Sequence, residues 1–327
     1  MSAPNKLFLI NQLLQEFRSR AFSGIMRTYG PHVKVVLPLD PRQGLVRFAY
    51  KVPAALCVPS SSKQPAYLPA GACLAILDEL STYSFMLKDK NSRAGVSVFL
   101  SLDMLCAGQA MIRPDDDIEV VITNDKLGKM LGFCTMEIHG AGRKVLARGQ
   151  HIKYMPQGFA VELLLGPLLP LFVMLYKYFN GAQFLFKKKI PFLEKYTDEQ
   201  DSGGKGVGAA YQEVISVKEH SSTADRYVGL LQVPRHFENP LGITHGGSVA
   251  MSIQQTASQM HTKRRKADEG DSYLRRVEIR YLSGLKKGDV LIAVDSEQGG
   301  SRMSGTVASA AAPAVPSSQF DLEWARF

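Results

Sequence analysis

Only four cysteines, Cys57, Cys73, Cys106 and Cys134, occur in this chain of 327 residues. None of them forms a C-x-x-C pair and no histidine cluster stands at zinc spacing, so a structural zinc site is not expected. They read as free thiols of a reducing compartment. A secretory signal peptide is missing. So is an uninterrupted apolar run of the roughly 20 residues that a spanning helix needs. The sequence carries none of the usual nucleic-acid motifs, and its basic residues are dispersed, so a nucleic-acid partner is not expected. Gly203-Gly204-Lys205-Gly206 is no phosphate loop. That motif needs four residues between its first glycine and Gly-Lys-Ser/Thr, with a strand before and a helix after.

What is present suits a globular protein. Hydrophobic residues make up 45% and charged residues 21%, enough apolar material for a core in each of two domains at about 100–200 residues per domain. The formal charge of +9 favours an anionic partner such as a membrane surface or a phosphate-bearing ligand. In residues 1–30, Leu7, Ile10, Leu14 and Phe17 recur at helical spacing among Arg18, Arg20 and Arg27. This reads as an amphipathic helix, and the same segment fits a mitochondrial targeting sequence.

Alternation over residues 33–50, broken by Asp40-Pro41-Arg42-Gln43-Gly44, predicts a hairpin. Residues 71–88 are apolar at helical spacing and open on Gly71. Four strand-like runs follow, at 95–103, 118–124, 130–138 and 144–154. The second half repeats this order, with strands at 211–217 and 226–233, a helix at 246–260, and strands at 275–282, 290–295, 303–308 and 320–327. The fold class is α+β, each half being one helix on an antiparallel sheet. Val52-Pro53 corresponds to Val233-Pro234, Gly71 to Gly247, and the strand from Val98 to that from Arg275. The sheets of the two halves are expected to join edge to edge.

Residues 157–210 form an apolar and Gly-rich linker between the domains at 31–156 and 211–327. The stretch from Leu163 to Tyr176 is uncharged and broken by Pro167 and Pro170. That is too short and interrupted to span a bilayer, so it is expected to lie on a membrane or a protein partner, or to be an internal strap. Lys187, Lys188 and Lys189 behind it suit lipid phosphates.

The segment Asn239-Pro240-Leu241-Gly242-Ile243-Thr244-His245-Gly246-Gly247 resembles the motif of hotdog-fold acyl-CoA thioesterases of the phenylacetyl-CoA and medium- or long-chain type. In these, an Asn precedes His-Gly-Gly by six residues at the start of the central helix. The first half resembles the same family elsewhere: Leu77-Asp78-Glu79-Leu80-Ser81-Thr82 the acid-bearing helix, Gly95-Val96-Ser97-Val98 the next strand, and Ala147-Arg148-Gly149-Gln150-His151-Ile152-Lys153 the last strand. The resemblance covers roughly residues 6–156 and 211–327. It implies two hotdog domains in tandem, closed into an intrachain pseudo-dimer.

The roles that follow are those the resemblance implies. Gly246 would donate a backbone N–H to the thioester oxygen and Asp78 would be general base or nucleophile. Asn239 would position water or carbonyl, Ser97 would hold the carboxylate or water, and His245 would shape the loop. A helix N-terminus supplies the unpaired N–H groups and positive dipole end that such chemistry uses. In the family the second Gly precedes the acid by seven residues. Gly71 meets Asp78 at that distance, but Gly247 meets Gln254, which cannot act as a base. Conversely the first half has Pro69-Ala70-Gly71 where the second has His245-Gly246-Gly247. One composite site across the halves is therefore expected. The quasi-equivalent place, where Gln254 faces Gly71, is expected to show no such arrangement.

Read alone, several of these residues have plainer meanings: Asp78 a helix acid, His245 a loop histidine, Ser97 a packed strand residue. Lys263-Arg264-Arg265-Lys266 fits either coenzyme A phosphates or a solvated helix end, and Asp115-Asp116-Asp117 a turn. The leading expectation is an acyl-CoA thioesterase, mitochondrial or otherwise cytoplasmic, needing no cofactor, coenzyme A entering as part of the substrate. A homodimer of double hotdogs is a further expectation. Two rivals stand beside it: a catalytically degenerate structural subunit of a membrane-associated mitochondrial complex, and an acyl-CoA binding protein without turnover.

Overall fold

The computed structural model describes residues 33–35, 44–58, 65–91, 93–107, 110–156, 215–233, 244–264, 272–286, 288–297 and 301–326. The expected N-terminal helix, the linker with its stretch from Leu163 to Tyr176, and Asn239 lie outside the described residues.

The first half runs β1 (Val33–Val35), β2 (Leu45–Lys51), α1 (Ala70–Lys88), β3 (Val96–Met104), β4 (Asp117–Leu127), β5 (Leu131–His139) and β6 (Val145–Tyr154). The second runs β7 (Val217–Ser222), β8 (Arg226–Val233), α2 (Gly246–Arg264), β9 (Ser272–Tyr281), β10 (Gly288–Ser296), β11 (Arg302–Ser309) and β12 (Pro316–Arg326). All strands join one 12-stranded sheet in the order β1-β2-β4-β5-β6-β3-β9-β12-β11-β10-β8-β7. Every pairing among the described residues is antiparallel. The halves join edge to edge at β3 and β9, from Phe99↔Arg280 to Asp103↔Arg276.

The expected strand at 211–217 meets the described structure only at its end, where β7 begins at Val217 and continues through polar residues to Ser222. Its pairing partner β8 sets its position, Val217↔Leu231 to Ser222↔Tyr227. At a sheet edge exposed polar residues suit a strand that hydropathy alone does not reveal. Residues 211–214 lie outside the described residues. The run Asp115-Asp116-Asp117 is a turn: Asp115 has φ 66° and the Asp116 carboxylate accepts the Arg113 N–H.

One sheet face is apolar and covered by the two helices, as alternation such as Val46, Phe48 and Tyr50 in β2 requires. At the seam Leu100, Leu102, Val277 and Ile279 point inward and are fully buried. The outward side carries ion pairs such as Arg280–Asp321 at 2.8 Å, which at about half exposure contribute little to stability. Helix α1 is apolar nearly all round, with Leu74, Ile76, Leu77, Leu80 and Phe85 buried, as a helix enclosed by its surroundings must be.

The helices cross where their side chains are smallest. A Cβ on Gly247 would lie 2.7 Å from Ala75 Cα, and one on Gly71 3.1 Å from the Ala250 carbonyl oxygen. Neither glycine needs an unusual φ; both are needed for close approach. At this crossing Asp78 accepts the Gly247 N–H at 2.9 Å, and Gln254 Oε1 accepts the Gly71 N–H. Each helix thus caps the other's first turn.

Because the obstacle at Gly247 is backbone, which cannot swing away, Gly247→Ala is expected to destabilise the fold by about 1–3 kcal/mol. A urea unfolding midpoint unchanged by this substitution would show that the crossing has slack.

Candidate active site

The reciprocal caps and the seam register define a two-fold relation. Exchanging the pairs Phe99↔Arg280 and Asp103↔Arg276 makes Phe99 the counterpart of Arg276, Ser97 of Leu274 and Met104 of Tyr281. The caps make Gly71 the counterpart of Gly247 and Asp78 of Gln254. The register of β6 on β3 and of β12 on β9 extends this, matching His151 with Leu322 and Lys153 with Trp324.

Asp78 is 1% exposed and every bond to its carboxylate is placed by a different element. Oδ2 takes the Gly247 N–H at the start of α2, where the unpaired amides and the helix dipole favour an anion. Oδ1 takes the Ser97 hydroxyl at 2.8 Å. Ser97 reaches inward because of a bulge. Strict alternation from Leu102 and Leu100 would turn Val98 inward and Ser97 out. The register of β3 on β6 instead slips between Ser97 and Phe99, which returns Ser97 to the helix side, as bulges do beside functional groups.

Behind Ser97 stands His151, fully buried. Its Nε2 lies 2.9 Å from Ser97 Oγ and its Nδ1 2.6 Å from Ser81 Oγ. Ser97 spends its one proton on Asp78, so it accepts from His151 Nε2–H. Neutral His151 then needs a donor at Nδ1, and the Ser81 hydroxyl supplies it in preference to its longer contact with the Asp78 carbonyl oxygen at 3.1 Å. The result is a directed chain from Ser81 through His151 and Ser97 to the carboxylate. Burial, with the positive charge of Lys153 and His245, outweighs Asp78 and lowers the His151 imidazole to about 3.

Three further groups surround the carboxylate. His245 Nδ1 lies 3.5 Å from Asp78 Oδ2, and its Nε2 3.2 Å from Glu79 Oε2. Lys153 donates to Thr82 Oγ1 at 2.6 Å, and Thr82 donates to the Asp78 carbonyl oxygen. Tyr281 donates to the Gly246 carbonyl oxygen at 2.9 Å, and burial, then Asp78, push its phenol well up, keeping it a donor. Burial would raise Asp78, but His245, His151 and Lys153 and the Ser97 hydroxyl overcome it and hold the carboxyl at about 2. At neutral pH it is a fixed anion.

Of the expected site residues, the structure brings together Asp78, Ser97, His245 and Gly246. Asn239 lies outside the described residues. At the counterpart place Gln254 faces Gly71, and no carboxylate stands at that helix start. Its geometry persists, with Gln254 capping Gly71, because a carboxamide oxygen accepts an N–H as a carboxylate does; only the charge is missing. Around it the polar set is gone: Leu274 stands for Ser97, Leu322 for His151, Ala257 for Ser81 and Pro69 for His245. Of the basic run, Lys263 and Arg264 are paired with Glu219 and Asp225.

Sequence reasoning missed Glu79, Ser81, Thr82, His151, Lys153 and Tyr281 as members of this cluster. Ser81 and Thr82 follow Asp78 by three and four residues on one helix face, a spacing that could have drawn them in. His151 and Lys153 share the inward face of β6, but only strand pairing shows that this face meets Asp78.

No family model matches the sequence, and no curated protein matches it. Solved structures do match by shape. A 12:0-ACP thioesterase from Umbellularia californica is 9% identical with a TM-score of 0.55, covering 89% of this chain and 100% of that one. The tesB protein of Mycobacterium avium subs paratuberculosis is 11% identical with a TM-score of 0.52, covering 93% and 98%. A conserved protein of unknown function from Alicyclobacillus acidocaldarius, described as having a hot dog fold, is 9% identical with a TM-score of 0.50, covering 90% and 96%. At these identities the likeness establishes the fold: this chain has the hotdog fold found in thioesterases.

The neutral His151 makes stability depend on pH. Its folded pKa, about 3, lies below the unfolded value of 6.5. The unfolded chain therefore binds the proton first, and stability falls as pH drops from 6.5 toward 3. In His151→Gln this part of the slope is expected to vanish. Urea midpoints at pH 7, 5.5 and 4.5 check it; parallel losses in both proteins would refute the neutral assignment.

Proposed function

We propose that the chain is a tandem double hotdog, closed into an intrachain pseudo-dimer, that hydrolyses acyl-CoA thioesters at one composite site. The observation that supports this most directly is the Asp78 carboxylate held on the N-terminus of α2 by Gly247 and Ser97, while the two-fold counterpart keeps the shape and loses the chemistry. Two halves with one polar cluster between them suit a protein in which a single site has been retained.

The reaction needs a polarised carbonyl and an oxygen nucleophile. In this reading the Gly246 N–H and the α2 dipole polarise the thioester carbonyl. Asp78 supplies the anion that holds the attacking water or attacks directly. Ser97, backed by His151 and Ser81, fixes the carboxylate's orientation and keeps its other oxygen satisfied. Asn239 completes the set as the motif implies. Water supplies the hydroxyl that ends on the free acid, and the departing sulfur takes a proton, so the balance calls for no metal or redox cofactor.

A structural subunit without turnover is the second reading, and one observation favours it. A Cβ on Gly246 would lie 2.8 Å from Asp78 Oδ2 and 3.2 Å from the Tyr281 hydroxyl. On its Cα side Gly246 is thus packed against Asp78 and Tyr281, as a purely structural helix start would be.

Thiol release from short, medium and long acyl-CoAs separates the two readings. Asp78→Asn keeps the shape and removes the charge, and is expected to lower turnover by about a hundredfold or more. Gln254→Ala is expected to leave turnover nearly unchanged while costing about 1–3 kcal/mol of stability, because it strands the buried Gly71 N–H. Equal rates for wild type and Asp78→Asn would remove the mechanism. A folded wild type inert toward every substrate would leave the structural reading.

A further inference from the structure

Away from the site, exposed apolar side chains gather at one end of the sheet. Five of the six exposed large hydrophobics among the described residues are Met130, Leu131, Tyr154, Leu282 and Val315. Strand register puts all five on the same rim. Leu131 pairs with Tyr154, and Tyr154 with Val96, while Met130 accepts the N–H of Met155. Leu282 follows β9 beside the start of β3 and bonds Ser317 at the start of β12, which Val315 precedes. From the rim the patch runs down the outer face of the first half. Two residues beyond Leu131 and Tyr154, a cross-strand row joins Phe133 to Ile152 and Ile152 to Phe99, each half-buried. The fold does not require apolar residues there. The two-fold counterparts of this row are Arg302, Glu323 and Arg276, paired in the same way. The second half therefore carries charge where the first presents two phenylalanines and an isoleucine.

We infer that residues 163–176 of this chain pack on that outer face, as a strap between the halves. The described chain breaks off at Pro156, directly behind Tyr154, and resumes at Ile215, which is fully buried ahead of β7. The start of β7 lies on the same rim as the end of β6, because every pairing between them is antiparallel and in step. The seven strand spacings that separate them in the sheet amount to about 34 Å, a distance that about ten extended residues cover. Residues 157–214 are far more than that, so their apolar part has the length to lie down on the face next to its exit. The shortest route along the rim passes Leu282 and Val315. The stretch is rich in leucine, uncharged and broken by Pro167 and Pro170, so it can cover apolar surface without burying a charge. Exposed apolar patches of this kind are met by a segment, a second copy or a lipid surface. A segment tethered beside the patch holds an effective concentration that a partner arriving from solution does not have.

Photo-cross-linking of the full chain tests this. A benzophenone-bearing phenylalanine replaces Phe133, with the same group in place of Arg302 as the control at the counterpart row. An equal mixture of 14N and 15N protein is irradiated, with and without vesicles of phosphatidylcholine and phosphatidylglycerol, and the linked peptides are mapped by mass spectrometry. The expected product joins position 133 to residues 163–176 of the same isotope, forms equally well with vesicles present, and is absent from position 302. Links between unlike isotopes would seat a second copy on the face and overturn the strap. So would replacement of the intrachain link by a lipid adduct when vesicles are added, or no link to 163–176 at all. Hydrogen exchange gives a second reading. Phe133→Arg with Ile152→Glu copies the charged pair that the other half carries on the same fold. It is expected to leave β5 and β6 protected and to strip protection from 163–176. Protection of 163–176 that survives this double substitution would overturn the proposal, as would exchange of 163–176 that is already unprotected in the wild type.

Discussion

The structure depends on the mutual capping of its two long helices. A helix begins with amide N–H groups that have no partner inside it, and here both beginnings are buried. Asp78 of α1 satisfies the start of α2 and Gln254 of α2 satisfies the start of α1. These bonds require the helices to cross closely, which is why Gly71 and Gly247 stand at the crossing. The crossing in turn sets β3 beside β9, so that the two halves share one sheet and one apolar face.

Charge breaks the symmetry that this arrangement would otherwise have. A buried carboxylate is costly unless it is fully bonded and balanced, whereas a carboxamide at the same place needs only its hydrogen bonds. Around Asp78 the chain assembles a serine, two histidines and a lysine. Around Gln254 it places leucines, an alanine and a tryptophan. The same backbone geometry therefore holds a buried polar cluster on one side and packed apolar side chains on the other. That contrast is what supports the proposed thioester chemistry at the polar set, since capping alone is accomplished without it.

Much of this was legible in the residues. The order of strands and helices and the matching of Gly71 with Gly247 and of Val98 with Arg275 follow from periodicity and spacing, while the pairing of Asp78 with the second half's helix start is what the resemblance implies. The extent of β7 beyond Val217 did not, because that edge strand is polar and takes its place from its neighbour β8. Nor did the persistence of a cap at Gln254: loss of a base was readable, but survival of a hydrogen bond was not.

The sequence by itself determined that there are two similar halves, that only one carries the acid, and that only the other carries His-Gly-Gly. These are properties of residue type and interval along the chain. The tertiary structure alone decided that His151 and Ser81 stand behind Ser97, that Ser97 faces inward at all, and that Glu79 touches His245. Each of those depends on a contact between elements far apart in sequence, or on a single extra residue in a strand, Val98, whose bulge reverses the side on which its neighbour points. Hydropathy alternates in the same way with or without such a bulge until strand pairing locates it, so local pattern could not have revealed the cluster.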